Sequence, residues 1–242
     1  MFSSLEKAIV IIPTFNEGLN VEKLVGEVFS LYPEISVLFV DDNSPDKTAD
    51  IIRKLQSNYS NLHLLQRPQK MGLGSAYLAG FQWALARPYQ YIVEMDADFS
   101  HTPKDLLRLI EAAEQADLVV GSRYLPGGQT RNWPLYRRAI SLTGAYISRF
   151  FTGMELSDVT SGFKCFRRET LLCLDFGRVL SRGFVFQLEM NFRVNELGLR
   201  IKEIPVTFQQ REHGTSKMNF KIILEGMTIL LGLKLRKAFG RL

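Results

Sequence analysis

Short apolar runs alternate with longer stretches of helical spacing through the first half of the chain. Ala8–Ile12, Val37–Val40, Leu62–Leu65, Tyr91–Met95 and Leu118–Gly121 read as strands. Between them Leu19, Leu24, Val25, Val28 and Phe29 recur at helical intervals, as do Ala49, Ile52 and Leu55, and Leu106, Leu109 and Ile110. This alternation predicts an α/β fold, a Rossmann-like and mostly parallel sheet with helices on both faces. Right-handed crossovers bring the C-terminal ends of its strands to one edge, where open α/β sheets bind ligands.

After residue 122 the alternation stops. Arg123–Asn132 is rich in Gly and Arg, and a helical pattern then runs through Ile140, Leu142, Ala145, Tyr146 and Phe150. A strand at Phe163–Phe166, helices around Thr170–Leu174 and Phe186–Leu197, and one strand over Ile201–Phe208 complete the body. From Phe220 onward Ile223, Leu224, Met227, Leu230, Leu231, Leu235, Ala238 and Phe239 fall at spacings of three and four, which predicts an amphipathic C-terminal helix. The expected division is therefore a catalytic-sized body over 1–218 and an amphipathic, basic helix over 219–242.

Composition narrows the class. A chain of 242 residues with 46% hydrophobic residues buries a full core without disulfides or metal, which excludes disorder and disulfide scaffolds. Cys165 and Cys173 stand among apolar neighbours at no metal-ligand or redox spacing and read as buried thiols. The net charge of +5 is entirely C-terminal: residues 200–242 carry nine basic and three acidic residues, and the remainder is close to neutral. A basic end on a neutral body suits a membrane surface and argues against a nucleic-acid partner. No signal peptide and no run long enough to span a bilayer are visible, so the expected location is cytoplasmic and peripheral to a membrane.

The strand ends carry the candidate chemistry. The first apolar run stops at Pro13-Thr14-Phe15-Asn16-Glu17, the second at Asp41-Asp42-Asn43-Ser44, and the fourth at Asp96-Ala97-Asp98-Phe99-Ser100-His101. Three acidic clusters on one edge demand a cation or a positively charged partner. Asp96 and Asp98, two apart in extended chain, can reach one divalent ion or the diphosphate oxygens around it, and hard oxygen ligands suit Mg²⁺ or Mn²⁺. Asp41 and Asp42 can equally cap the next helix, and Glu17 can serve as a first-turn acid. Arg67, Arg123, Arg131, Arg137, Arg138, Arg211 and Lys217 are expected to face the acidic edge. His101 and His213 read as surface or hydrogen-bonding histidines.

Together these three segments resemble the signature of the inverting GT-A glycosyltransferases of family 2. Gly72-Leu73-Gly74-Ser75-Ala76-Tyr77, Gly121-Ser122-Arg123-Tyr124, Asp158-Val159-Thr160-Ser161-Gly162-Phe163, the Gly183–Glu189 stretch Gly-Phe-Val-Phe-Gln-Leu-Glu and the Arg211–Lys217 stretch Arg-Glu-His-Gly-Thr-Ser-Lys narrow the resemblance. They are similar to dolichol-phosphate mannose synthases and their bacterial polyprenol-phosphate counterparts, over about residues 7–225. The resemblance implies that Pro13, Phe15, Glu17, Val40 and Asp42 hold the nucleotide, with Asp41 nearby. It implies that Asp96, the backbone of Ala97, and Asp98 engage the sugar diphosphate and metal, with Ser100 completing the metal shell. Arg123, Arg137 and Ser141 match acceptor-phosphate positions, and Arg211 and Lys217 match a loop that closes on the donor diphosphate. Phe15 stands where Tyr is frequent, Ser100 where some members have Gln, and Lys47 where Gly often completes a turn.

The activity so implied is transfer of mannose from GDP-mannose to a polyprenyl or dolichyl monophosphate, with inversion. The acceptor phosphate is already anionic near neutral pH, so it needs positioning rather than deprotonation. Rival readings are a UDP-glucose or UDP-hexosamine transferase acting on undecaprenyl phosphate and, from another class, a non-catalytic nucleotide-sugar-binding subunit. The C-terminal helix implies a membrane surface as a further partner, with a separate membrane-anchoring protein as another.

Overall fold

The computed structural model describes residues 3–131, 135–181, 183, 185–209, 228–229 and 231–233, the side chains of 3, 135–140 and 151 excepted. In chain order the elements are α1 (Ser3–Glu6), β1 (Ala8–Thr14), α2 (Gly18–Leu31), β2 (Ser36–Asp41), α3 (Thr48–Leu55), β3 (Leu62–Gln66), α4 (Leu73–Leu85) and β4 (Tyr91–Glu94). There follow α5 (Leu106–Ala113), β5 (Leu118–Ser122), β6 (Gln129–Thr130), α6 (Leu135–Thr152), β7 (Lys164–Arg167), α7 (Arg168–Leu172), α8 (Phe186–Glu196), β8 (Ile201–Pro205) and β9 (Thr207–Phe208).

Seven strands form the central sheet in the order β3-β2-β1-β4-β7-β5-β8. All pair in parallel except β7, which runs antiparallel to both β4 and β5. The expected α/β sheet is thus present, with one reversed strand. Its strands are apolar on both faces because helices cover both. Along β1, Val10 and Ile12 join a core with Val21, Leu24 and Val28 of α2 and Leu106, Leu109 and Ile110 of α5. Ile9 and Ile11 point the other way, into a core with Tyr77 and Phe81 of α4 and Phe186 and Met190 of α8. The approach of α4 is close enough that a Cβ on Gly80 would come within 2.5 Å of the Ile11 side chain.

Two sequence expectations change. Ile201–Phe208 is two strands: β8 closes the main sheet, while β9 pairs in parallel with β6 in a two-stranded sheet. The change comes after Pro205: the Val206 N–H still donates to the Ser122 carbonyl of β5, but the Val206 carbonyl is taken by the Gln129 N–H as β9 pairs with β6. Cys165 is buried as expected, but Cys173 is exposed just after α7.

A third core lies beside the sheet. Ala145 of α6, Met154, Leu156, Val159, Leu188 and Phe192 pack around Leu233, which is fully buried, and Ile229 adds to it. The few described residues of the tail therefore lie against the body on one face, while Leu231 is 54% exposed. The rest of the tail, from 210 to 227 and beyond 233, lies outside the described residues.

Candidate active site

The C-terminal ends of β1, β2 and β4 turn sharply, and three residues in these turns adopt left-handed backbone: Asn16 (φ 63°), Asn43 (φ 56°) and Phe99 (φ 61°). Asn tolerates that region; Phe does so at a cost that surrounding structure must offset. Lys47 takes it too, at φ 66°, as the residue before α3. A Gly would occupy this turn without strain, which gives physical content to the departure noted at that position.

Between these turns lies a cavity of about 410 Å³. Pro13, Phe15, Glu17 and Asp42 line one part, and Asp96, Ala97 and Asp98 another. Seven of the residues assigned to the donor from sequence thus share one wall. Thr14, Lys70, Gly72, Leu73, Ala76 and Gly183 also line it and were not singled out. Lys70, an ammonium among four carboxylates, sits 3.9 Å above the Phe15 ring. The only sequence signal for it was its place just ahead of the Gly-Leu-Gly motif.

Asp42 is fixed from behind. Arg67 Nε donates to its Oδ1 at 2.5 Å and the Met71 N–H to its Oδ2 at 3.1 Å, while Arg67 also reaches Ser75 Oγ at 2.7 Å. Glu17 accepts from Asn20 Nδ2 at 2.7 Å at the start of α2. Val40 and Asp41 are placed differently. Both are fully buried and neither lines the cavity. Asp41 accepts from Thr14 Oγ1, the Ser44 N–H and Ser44 Oγ, so its carboxylate shapes the turn after β2, the capping role weighed for it.

Asp98 accepts the Ser100 N–H at 3.0 Å and Asp96 receives the Tyr77 hydroxyl at 3.4 Å. Burial, then the charges of Asp96 and Glu94, push the Tyr77 phenol well above its ordinary pKa, so it stays a donor. Ser100 is fully buried and does not line the cavity, and its Oγ has no hydrogen-bond partner among the described residues. Two carboxylates on one wall and an orphaned hydroxyl behind them make a hard-oxygen donor set that fits Mg²⁺ or Mn²⁺. Among the described residues no three or more His, Cys, Asp or Glu side chains stand close enough together to hold a metal ion, so an ion here would complete its shell from substrate oxygens and water. His101, expected at the surface or hydrogen-bonded, is 2% exposed and bonded to the Asp96 N–H.

Behind this wall Glu94 of β4 lies across from Lys164 of β7. Burial pushes the Glu94 carboxyl up to about 7, eased by Lys164 and the nearby Gln187 amide, although no group among the described residues meets it with hydrogen-bond geometry. Burial likewise pulls Lys164 down to about 8, and its Nζ donates to the Gln187 carbonyl at 2.7 Å.

On the acceptor side, Arg123 is not among the residues lining the cavity; its Nε and an Nη meet the two Asp158 oxygens, each at 2.6 Å, and the Nη also meets Thr160 Oγ1 at 2.8 Å. Burial opposes charge on both groups. Their mutual attraction prevails, holding Asp158 below and Arg123 above their ordinary values. Ser141 accepts the Tyr124 hydroxyl at 2.6 Å and is buried on α6. Arg137 lies on α6 with its side chain outside the described residues, and Arg211 and Lys217 lie outside them altogether.

A doubly covered, mostly parallel sheet whose strand-end carboxylates share a cavity with Phe15 and a paired Asp96-x-Asp98 defines a GT-A-like α/β fold. The model of glycosyl transferase family 2 matches residues 9–174, and the chain belongs to that family. It is 44% identical over 92% of its length to polyprenol monophosphomannose synthase of Mycolicibacterium smegmatis, covering 84% of that protein. It is 45% identical to undecaprenyl-phosphate mannosyltransferase of Micrococcus luteus, over 91% of both chains. Among solved structures, glucosyl-3-phosphoglycerate synthase from Mycobacterium tuberculosis with Mn²⁺, uridine diphosphate and phosphoglyceric acid shares the fold at a TM-score of 0.70 and 19% identity, over 96% of this chain and 82% of that one.

Proposed function

We propose that this glycosyltransferase moves mannose from GDP-mannose to the phosphate of a polyprenyl monophosphate, with inversion, giving a polyprenyl β-mannosyl phosphate. The observation that carries the reading is the cavity that joins Glu17 and Asp42 to Asp96 and Asp98, in a chain whose relatives at 44% and 45% identity are named for mannose transfer to polyprenyl phosphates.

In this reading Phe15 and Pro13 flank the base, and Asp42, held by Arg67 and the Met71 N–H, accepts from donor N–H or O–H groups of the nucleoside. Asp96 and Asp98 would hold Mg²⁺ or Mn²⁺, with Ser100 as a further oxygen donor. The ion would neutralise charge on the leaving diphosphate as the C1–O bond breaks. Arg211 and Lys217 are assigned the same diphosphate from the other side. Arg137 and Ser141 are assigned the acceptor phosphate. Arg123, locked onto Asp158, holds the Asp158–Thr160 turn beside them, a positioning role in place of direct phosphate contact.

The same reading places the enzyme on a membrane surface. On α6, Leu142, Tyr146 and Phe150 follow one another at four-residue steps and are 42%, 71% and 76% exposed. With exposed Leu231 and the basic tail they suit headgroups and the acyl boundary. No described helix is long and apolar enough to cross a bilayer. A radiolabelled transfer assay into extracted polyprenyl phosphate, run with GDP-mannose, UDP-glucose and a UDP-hexosamine, tests the whole reading. Transfer from GDP-mannose, with a β-linked product by NMR, is expected. Transfer from a UDP-sugar alone selects the rival donor, and no transfer with any donor selects the non-catalytic subunit.

A further inference from the structure

The last ladder bond of β4 on the β1 side is donated by Met95 to Ile11. The next N–H, that of Asp96, leaves the sheet and goes to a side chain: it donates to His101 Nδ1 at 3.1 Å. The loop that carries both carboxylates therefore closes on itself from residue 96 to residue 101. Within it the Ser100 N–H turns back to Asp98, and Phe99 is held in left-handed backbone.

The imidazole is in turn held rigidly. It stacks on Phe163 with centroids 4.8 Å apart and planes 9° from parallel, and Phe208 meets it edge-on at 5.3 Å. His101 bridges Phe208 through the backbone, and the Gln209 N–H donates to the Ser100 carbonyl at 3.1 Å. A slot 2% exposed between two aromatic rings is one a phenyl ring would fill with more apolar burial. What a phenyl ring cannot do is accept the Asp96 N–H. A ring that accepts at Nδ1 carries its proton at Nε2, so neutral imidazole is the species that fits.

We infer that His101 is a positioning residue for the Asp96-x-Asp98 loop: it fixes the backbone of Asp96 so that both carboxylates stay on one cavity wall before the ion arrives. Left free, two carboxylates this close in sequence would relax apart, and bringing them together would weaken ion binding. The inference rests on the reading of Asp96 and Asp98 as ion ligands, and its test separates the two.

The test measures Mn²⁺ binding directly, by loss of the free-ion EPR signal on titration of the whole protein with GDP present, for wild type, His101→Phe and His101→Asn, with thermal melts alongside. Phe keeps the stack and removes the acceptor; Asn places an amide oxygen near the position of Nδ1. Loss of a supporting bond around a metal ligand typically weakens affinity about 10- to 100-fold, and His101→Phe is expected at the lower end of that range. His101→Asn should recover most of the loss even if it melts lower than His101→Phe, because affinity then follows the acceptor and not the packing. In transfer assays, raising Mn²⁺ should restore the turnover of His101→Phe. Wild-type-like Mn²⁺ affinity in folded His101→Phe overturns the inference, as does a loss that His101→Asn shares in proportion to its loss of stability. If wild type itself binds no Mn²⁺ with GDP or UDP present, the ion-ligand reading fails first.

Discussion

The Asp42–Arg67 and Asp158–Arg123 pairs are chemically alike, with contacts of 2.5 and 2.6 Å and no member more than 8% exposed. They serve different ends of the molecule. Asp42 lines the cavity, so its pairing with Arg67 presents a carboxylate in a fixed orientation to whatever binds there. Neither Asp158 nor Arg123 lines that cavity, and their pairing joins the end of β5 to the turn before β7. An identical bond thus builds a binding wall in one region and a structural clamp in the other. The difference lies in how each carboxylate is met: Arg67 engages one Asp42 oxygen and the Met71 N–H the other, leaving capacity toward the cavity, whereas the Arg123 guanidinium takes both Asp158 oxygens and the Arg123 N–H and Thr160 Oγ1 add to them.

The largest effect is expected where the clamp is broken. Asp158→Ala removes the carboxylate that meets the buried Arg123 guanidinium on both oxygens, and breaking such a buried pair typically costs about 3–5 kcal/mol. Urea unfolding should show it, while the donor wall changes only in proportion to the unfolded fraction. A loss below about 1 kcal/mol would mean that Arg123 finds another anion and that the pair is not the clamp described.

On the donor wall the expected damage is to turnover. Asp98→Ala should remain folded and lose at least about 10²-fold in transfer, as for removal of one preorganised transition-state group. Retention of half the wild-type rate at saturating metal would remove Asp98 from the ion site.

Asp42→Ala sharpens the contrast with Asp158→Ala. Arg67 keeps Ser75 Oγ and the Gly72 carbonyl as partners, so stability should fall by less than in Asp158→Ala. Nucleotide affinity should fall about tenfold, the loss of one charge-assisted hydrogen bond worth about 1.4 kcal/mol. Calorimetric titration with GDP checks it. Unchanged affinity would make Asp42 as structural as Asp158.

The smallest effect concerns the surface. Tyr146→Ser with Phe150→Ser removes apolar area that is already exposed, so the fold should be untouched. Sedimentation with anionic liposomes should drop by about fivefold, corresponding to roughly 1 kcal/mol of partly inserted side chain. Unchanged sedimentation would shift the membrane contact from α6 to the basic tail.

What the chain declares by itself is the set of strands and the chemistry at their ends. Apolar runs that stop abruptly at Pro13, Asp41 and Asp96 are visible because doubly buried strands are predominantly apolar until they leave the sheet, Glu94 and Lys164 being buried exceptions. The seven donor-side residues that line one wall follow from that polarity break and from the shared edge of a parallel sheet. The residues that support them were not visible, because their partners are distant in sequence. From sequence Arg123 is expected at the acceptor phosphate, and only the fold sets Asp158, 35 residues later, against it. Asp41 and Asp42 are neighbours of one type, yet successive residues of an extended chain face opposite ways. One is consumed by its own turn and the other is delivered to the cavity. His101 offered no signal beyond its distance from Asp96, since its role depends on two aromatic rings from β9 and the turn before β7. Local sequence sets which groups can bind a ligand. Only tertiary packing, by deciding which charges are already satisfied, sets which of them remain to do so.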